Sequence, residues 1–465
     1  MPPPTAASPK DISAQPDPVA VAMPVQTHDQ AAAIRLPFWL HPLFLLICTL
    51  GIPVLATCYL SAEVFQTEWK SQKYFSLADA WLIGRFIGAF AGGILCFAFL
   101  RAWLAASGYR LTSPHSLAGL EVFIRRAFWV TATLCLLGSA IWTAYSARQG
   151  VSLADARAAL SGQSNAIMRI REKAETIPGV TTLTQFGMAA AVLAGLGWFG
   201  QRSRALRVTL IGIMIIALLR GFLRAERLAF IEVAVPFFIS LLPELISRFN
   251  RRFYIRLGLP LVPVAALLGL IGFFVVAEAG RSYEAKAEEG ARRSAVEYGA
   301  VRLGGYYGTS LNNGAYLLEN LPRSNFPHFT LEWLWRFPGF RMLADPRAIT
   351  GVNSAQIISL LSTDLNAEFN NPSGIFMYIH DFGRIGILPV AFGLGIVLAA
   401  LYHGFRQGTP AGRLLYPLLV VGLLEISRIP YLTSNRAFPS MFFLVALSGT
   451  CLLRRAKRRS TFIPQ

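Results

Sequence analysis

The sequence predicts an all-α integral membrane protein with about ten transmembrane helices, both termini cytoplasmic, and one large, partly helical periplasmic loop. Three observations predict it. The chain is 54% hydrophobic and only 15% charged, against roughly 25% charge in a soluble domain. Its apolar residues are segregated into runs close to the ~20 residues that a helix needs to cross a bilayer. Its basic residues gather at alternate ends of those runs, the bias that sets orientation during insertion.

Residues 1–36 are rich in Pro and Ala and have no apolar core. They read as a disordered cytoplasmic tail and not as a signal peptide. Residues 37–277 hold seven spans. These are Trp39–Ser61 (an uncleaved signal anchor), Ala80–Leu104, Ala127–Tyr145, Leu183–Phe199, Val208–Phe222, Leu228–Ile246 and Leu257–Ala277. A periplasmic loop lies near 146–182, and residues 278–374 form the large periplasmic loop. Residues 375–453 hold the last three spans, Ile375–Tyr402, Leu414–Ile429 and Phe438–Leu453. Residues 454–465, with the run RRAKRR, are a basic cytoplasmic tail. Gly84, Gly88 and Gly92 recur every fourth residue and predict a small-residue face for close helix packing.

Composition narrows the function. A net charge of +18 could suggest nucleic acid, but in so apolar a chain it reads as loop Arg meeting anionic lipid. Cys48, Cys58, Cys96, Cys135 and Cys451 all lie in apolar runs, with no metal or disulfide spacing. The chain contains no HExxH, Walker loop, CxxC pair or GxSxG, and no DxD in its external segments. The reading is therefore metal-independent, without a cofactor and without a nucleic-acid partner.

The informative residues are cations on the wrong side. Arg220, Arg224 and Arg227 in RGFLRAER fall on a turn that should face outside. The large loop adds Arg281, Arg292, Arg293, Arg302, Arg323, Arg336, Arg341 and Arg347, against a single Lys286. A guanidinium grips phosphate or carboxylate with two bonds, whereas Lys acts as a point charge. A lipid pyrophosphate at the outer surface fits this set. Pairing with loop Glu residues or lipid headgroups is the alternative for any one of them. Arg85 lies inside a span near its outer end. Glu425 and Arg428, three apart, can meet on one helix face.

The segment NNPSGIFMYIHDFGRIG, Asn370–Gly386, opens with turn chemistry and carries Tyr378, His380, Asp381 and Arg384 into a span. His380 or Asp381 could take a proton from a hydroxyl. Helix capping is the structural alternative for Asp381.

Three stretches resemble bacterial oligosaccharide repeat-unit polymerases, the O-antigen and exopolysaccharide polymerases. Asn370–Tyr402 is similar to their C-terminal signature, with Asp381, Phe382, Gly383 and Gly386 matching its Asp-Phe-Gly and Gly-rich helix. RLGGYYGTSLNNGAYLLEN, Arg302–Asn320, is similar to the Tyr-rich part of their periplasmic loop. GFLRAERLAF, Gly221–Phe230, is similar to their Gly-x-Arg turn. This chain has Gly-Phe-Leu-Arg in place of a compact Gly-Ser-Arg, and its His380 is not a family requirement.

The resemblance implies a lipid-dependent glycosyltransferase of the bacterial inner membrane, built as a multi-span helical bundle. It would transfer a glycan from undecaprenyl pyrophosphate to another lipid-linked repeat unit, with no metal or nucleotide sugar. In that reading Arg224, Arg227, Arg281 and Arg302 hold pyrophosphate, and Asp381 or His380 activates the acceptor. Tyr306, Tyr307 and Asn371 contact glycan, and Trp333 and Trp335 serve packing or the interfacial belt. Partners would be the lipid-linked glycan, inner-membrane lipid and a chain-length regulator. The rival readings are an O-antigen ligase using the same donor and a non-enzymatic transporter of the lipid-linked sugar.

Overall fold

The computed structural model describes residues 35–107, 120–160, 166–173, 177, 179–198, 203–223, 228–249, 258–278, 294–337 and 339–460. Among these residues the protein is helical and has no strand. The principal helices are α1 (Pro42–Tyr59), α2 (Ala62–Trp69), α3 (Leu77–Ala106), α4 (Glu121–Arg148), α5 (Val180–Gly197) and α6 (Arg204–Leu223). They continue with α7 (Leu228–Phe249), α8 (Val262–Glu278), α9 (Ala295–Asn320), α10 (Gly374–Gln407), α11 (Pro410–Glu425) and α12 (Phe438–Ser460).

Helices α1, α3, α4, α5, α7 and α10 are long and apolar enough to cross a membrane. The other four of the ten expected spans fall short of that length or apolarity among the described residues, each for a physical reason. Helices α8 and α11 have 17 and 16 residues, or about 24–26 Å of length against a hydrocarbon core of about 30 Å. Helix α6 carries Arg204, Arg207 and Arg220 within its 20 residues. The apolar part of α12 ends at Arg454.

Helices α3 and α10 lie side by side and run the same way. A side chain on Gly93 would strike the backbone carbonyl of Phe392, and one on Gly395 would strike that of Phe90. Further along, Arg101 reaches His403 at 2.5 Å. Both helices therefore begin at one end of the bundle. The contact corrects the expected glycine face. Gly84 and Gly88 face open space, and Gly92 meets only the edge of Phe392. The close approach belongs to Gly93, about 100° further round the helix.

Helix α11 returns from α10 through Gly408, whose φ of 78° suits glycine. Its C-terminal end thus reaches the level where α10 starts. There the Ser373 and Ile375 amides donate to the Arg428 and Ile426 carbonyls at 2.9 and 3.1 Å. We call this the loop end. It also receives the start of α7 and the end of α6. The opposite, basic end carries Arg101, Arg406, Arg413 and Arg454.

Two apolar cores hold the bundle. One joins α1, α3, α9 and α10 around Phe86, Phe90, Leu311, Phe376 and Leu398. The other surrounds α5, whose residues Met188–Ala194 are all buried. Helix α9 is integral to the first core, so the 278–374 region is more than a surface loop. Asn312 and Asn313 fix it there. The Asn312 side-chain oxygen accepts from the Tyr74 and Phe75 amides at 2.6 and 3.0 Å. The Asn313 amide donates to the Phe369 and Asn371 carbonyls at 2.6 and 3.1 Å.

Candidate functional site

The loop end concentrates buried charge. Glu232 sits in the first turns of α7 with 5% of its side chain exposed. It accepts two bonds from Arg436, at 2.9 and 3.2 Å, and lies 3.1 Å from the Tyr431 hydroxyl. Glu425 closes α11, is 3% exposed, and accepts from Arg428 at 2.8 Å. The Arg428 guanidinium lies 5.7 Å from the Tyr306 ring centre and 5.9 Å from that of Tyr307. Arg220, at the end of α6, donates to the Thr184 hydroxyl at 2.8 Å. A cavity of about 30 Å³ opens among Cys135, Thr184, Gln185, Met188, Arg220 and Glu232, room for one or two water molecules.

The local sequence explains this convergence. Residues 426–437 cannot continue α11 past Pro430, and they fold instead as a short turn. The Arg428 and Ile429 amides both donate back to the Glu425 carbonyl, at 2.8 and 2.9 Å. That turn drops Tyr431 and Arg436 onto Glu232. Among the described residues the cluster brings together three arginines and two carboxylates. A buried pair this close leans on further hydrogen bonds: Tyr431 supplies one to Glu232 and Tyr307 one to Arg428, whose Nε is buried without a partner.

The second constellation lies on α10, which is not continuous. Gly383 has φ 74° and ψ 169° inside the helix. It separates a buried segment, Gly374–Phe382, from the longer span beyond it. Asp381 sits just before the break, and both of its oxygens are taken. Oδ1 accepts from the His328 amide at 2.9 Å and Oδ2 from the Thr330 amide at 2.6 Å. Asp381 is thus a clip on the 328–330 backbone. The capping alternative was right in kind but wrong in target, because the capped amides are remote in sequence.

His380 is different. Its Nε2 lies 2.9 Å from the Pro322 carbonyl. A carbonyl can only accept, so the proton sits on Nε2 and the Nδ1 lone pair is free. Nδ1 is buried without a partner. Phe329 packs edge-on to the His380 ring at 5.5 Å. His328 lies near, its Nδ1 3.1 Å from the Thr350 hydroxyl. Burial first, then the charges of His380 and Arg336, push His328 down to about 4.

The 430–433 turn joins the two constellations. Thr433 lies 3.2 Å from the Tyr378 hydroxyl and donates to the Phe329 carbonyl at 3.0 Å, while Tyr431 contacts Glu232.

The structure sorts the remaining sequence candidates. Arg302 is 4% exposed and its guanidinium is engaged by Glu368 through two bonds, 2.8 and 2.9 Å, with Phe369 stacked 4.5 Å away. This corrects Arg302 from pyrophosphate contact to internal ion pair. Tyr306 packs on Phe369 at 5.1 Å. Tyr307 is pushed up to about 12 by burial and then by Glu425, against the opposing pull of Arg428. Both tyrosines therefore serve the ionic cluster's floor. Asn371 contributes its carbonyl to Asn313 and is half-buried. Trp335 is buried and donates to the His328 carbonyl at 2.9 Å, and Trp333 stacks on Phe438 at 4.1 Å, so both pack. Arg85 is exposed on α3. Arg224, Arg227 and Arg281 lie outside the described residues.

Sequence reasoning missed Glu232, Arg436, Tyr431 and Glu368. Glu232 carried the signal that singled out Glu425: an acid inside an apolar run. Arg436, Tyr431 and Glu368 carried no comparable mark. Among the described residues no group of three His, Cys, Asp or Glu could hold a metal ion. No protein family, curated protein or solved structure matches the chain.

Proposed function

We propose that this protein is a polysaccharide polymerase of the bacterial inner membrane. It joins undecaprenyl-pyrophosphate-linked oligosaccharide repeat units at the periplasmic face, without a metal or other cofactor. The observation that carries the reading is the arginine-rich cluster of Arg220, Arg428 and Arg436 beside an unpartnered imidazole nitrogen, all at one end of a membrane bundle. In the ten-span topology expected from the sequence, with both termini cytoplasmic, that end faces outside. The parallel course of α3 and α10 and the return of α11 fit this topology.

The chemistry follows from the charges. The acceptor hydroxyl oxygen forms a bond to the donor's anomeric carbon, and the bond from that carbon to the pyrophosphate oxygen breaks. The leaving undecaprenyl pyrophosphate keeps the electron pair, and Arg220 with Arg224 and Arg227 holds its charge. The hydroxyl proton passes to His380 Nδ1, the general base. The transition state has oxocarbenium character, as in other glycosyl transfers. Asp381 positions the 328–330 segment over His380 and does not itself take the proton. Tyr306, Tyr307 and Asn371 border the glycan path.

Deletion of the gene, scored by the glycan ladder, tests the reading. A polymerase predicts loss of polymer with single capped repeats retained. Loss of all surface attachment, with long lipid-linked chains accumulating, would assign the protein as a ligase instead. An unaltered ladder would remove both, and Arg224→Ala with full polymer length would remove the phosphate site.

A further inference from the structure

A second cationic cluster occupies the basic end, remote from the chemistry proposed above. Four elements meet around residues 402–406 of α10. His41, just before α1, packs edge-on to the Tyr402 ring at 5.3 Å. The Arg406 guanidinium lies 6.0 Å from the same ring. Arg101 of α3 lies 2.5 Å from His403 Nδ1. Arg413 of α11 covers Phe405 at 5.3 Å. Burial first, then the charge of Arg406, hold His41 below its ordinary range.

The cluster is short of counter-charge. Among the described residues no carboxylate forms an ion pair with Arg101, Arg406 or Arg413. Glu244 acts on Arg413 only at electrostatic range. Arg406 Nε is buried without a hydrogen-bond partner. Like charges held together by the fold, with a donor unmet, favour an incoming anion. The surroundings indicate its form. Leu95, Phe99, Leu100 and Trp103 on α3, and Val397 on α10, are exposed apolar side chains on the helices that carry Arg101 and Arg406. A phosphate joined to acyl chains matches both halves of this surface, because basic pockets between membrane helices recruit anionic headgroups.

We infer that Arg101, Arg406 and Arg413, with His41 and His403, form a binding site for the phosphate of an anionic phospholipid, its acyl chains lying along α3.

Native mass spectrometry of the full-length detergent-purified protein tests this, with phosphatidylglycerol and phosphatidylcholine as probes. The wild type is expected to retain phosphatidylglycerol preferentially. Each arginine near a lipid phosphate contributes about fivefold, so Arg101→Gln with Arg406→Gln should lower retention roughly 25-fold. The charge-keeping pair Arg101→Lys and Arg406→Lys should hold most of it, which separates charge from misfolding. Arg323→Gln, exposed near the loop end, should change nothing. Equal retention in the double Gln variant overturns the site. Displacement of the lipid by millimolar inorganic phosphate overturns the lipid assignment in favour of a free anion.

Discussion

Replacing Asp381 with Asn separates the two roles open to that carboxylate. Its oxygens accept from the His328 and Thr330 amides at 2.9 and 2.6 Å. Hydrogen bonds to a charged acceptor contribute about 1.5–3 kcal/mol each. Asn keeps one acceptor and turns an N–H donor toward the other amide, so one bond is lost and two donors face each other. Local opening of the segment should become easier by about 3 kcal/mol, since Trp335 and Thr433 still hold the His328 and Phe329 carbonyls. That is roughly a hundredfold loss of protection. Hydrogen exchange read by mass spectrometry over residues 322–335 measures it in detergent. The expected result is fast exchange at His328 and Thr330, with α11 unchanged. Undiminished protection together with lost polymerisation would refute the clip and return Asp381 to a chemical role.

Other expectations follow from the same geometry. Glu232→Gln leaves Arg436 and Tyr431 around a neutral group and should cost about 3–5 kcal/mol, read as a lowered thermal midpoint; combining it with Arg436→Met should recover part of the loss, and strict additivity would contradict the pairing. His380→Gln should lower polymerisation by about 10²–10⁴-fold, the range of a lost general base, while the thermal midpoint stays near that of the wild type. His328 is depressed to about 4 from 6.5, so the unfolded chain takes the proton first as pH falls. Its contribution is complete above about pH 6.5 and is lost as pH falls toward 4. Thermal midpoints across that window should fall more steeply in the wild type than in His328→Gln, and parallel curves would contradict the assignment.

Much of the architecture was legible because membrane insertion constrains sequence strongly. Long apolar runs specified α1, α3, α4, α5, α7 and α10, and the three-residue spacing of Glu425 and Arg428 specified their ion pair. The shorter helices were harder, since 16 or 17 apolar residues suit a buried helix and a tilted span alike. The candidate site was legible only in part. Asn-Pro-Ser-Gly marked the start of α10, and Asp-Phe-Gly marked something special. Asp381 just before the Gly383 break captures the 328–330 segment, a tertiary contact with no sequence periodicity. For Arg302 the sequence left both readings open, because its residue type suits phosphate and carboxylate equally; only packing brought Glu368, 66 positions away, into its fork. Arg436 lay in a short connection, where its pairing with Glu232 left no pattern.

The central claim is the joining of lipid-linked repeat units by this chain alone. Purified protein in liposomes, supplied with an undecaprenyl-pyrophosphate-linked repeat unit and no metal or nucleotide sugar, tests it most directly. The account predicts a ladder of lengthened lipid-linked glycans together with free undecaprenyl pyrophosphate, abolished by His380→Gln. Substrate returned unchanged, with the protein folded and the unit competent for a known polymerase, would contradict it.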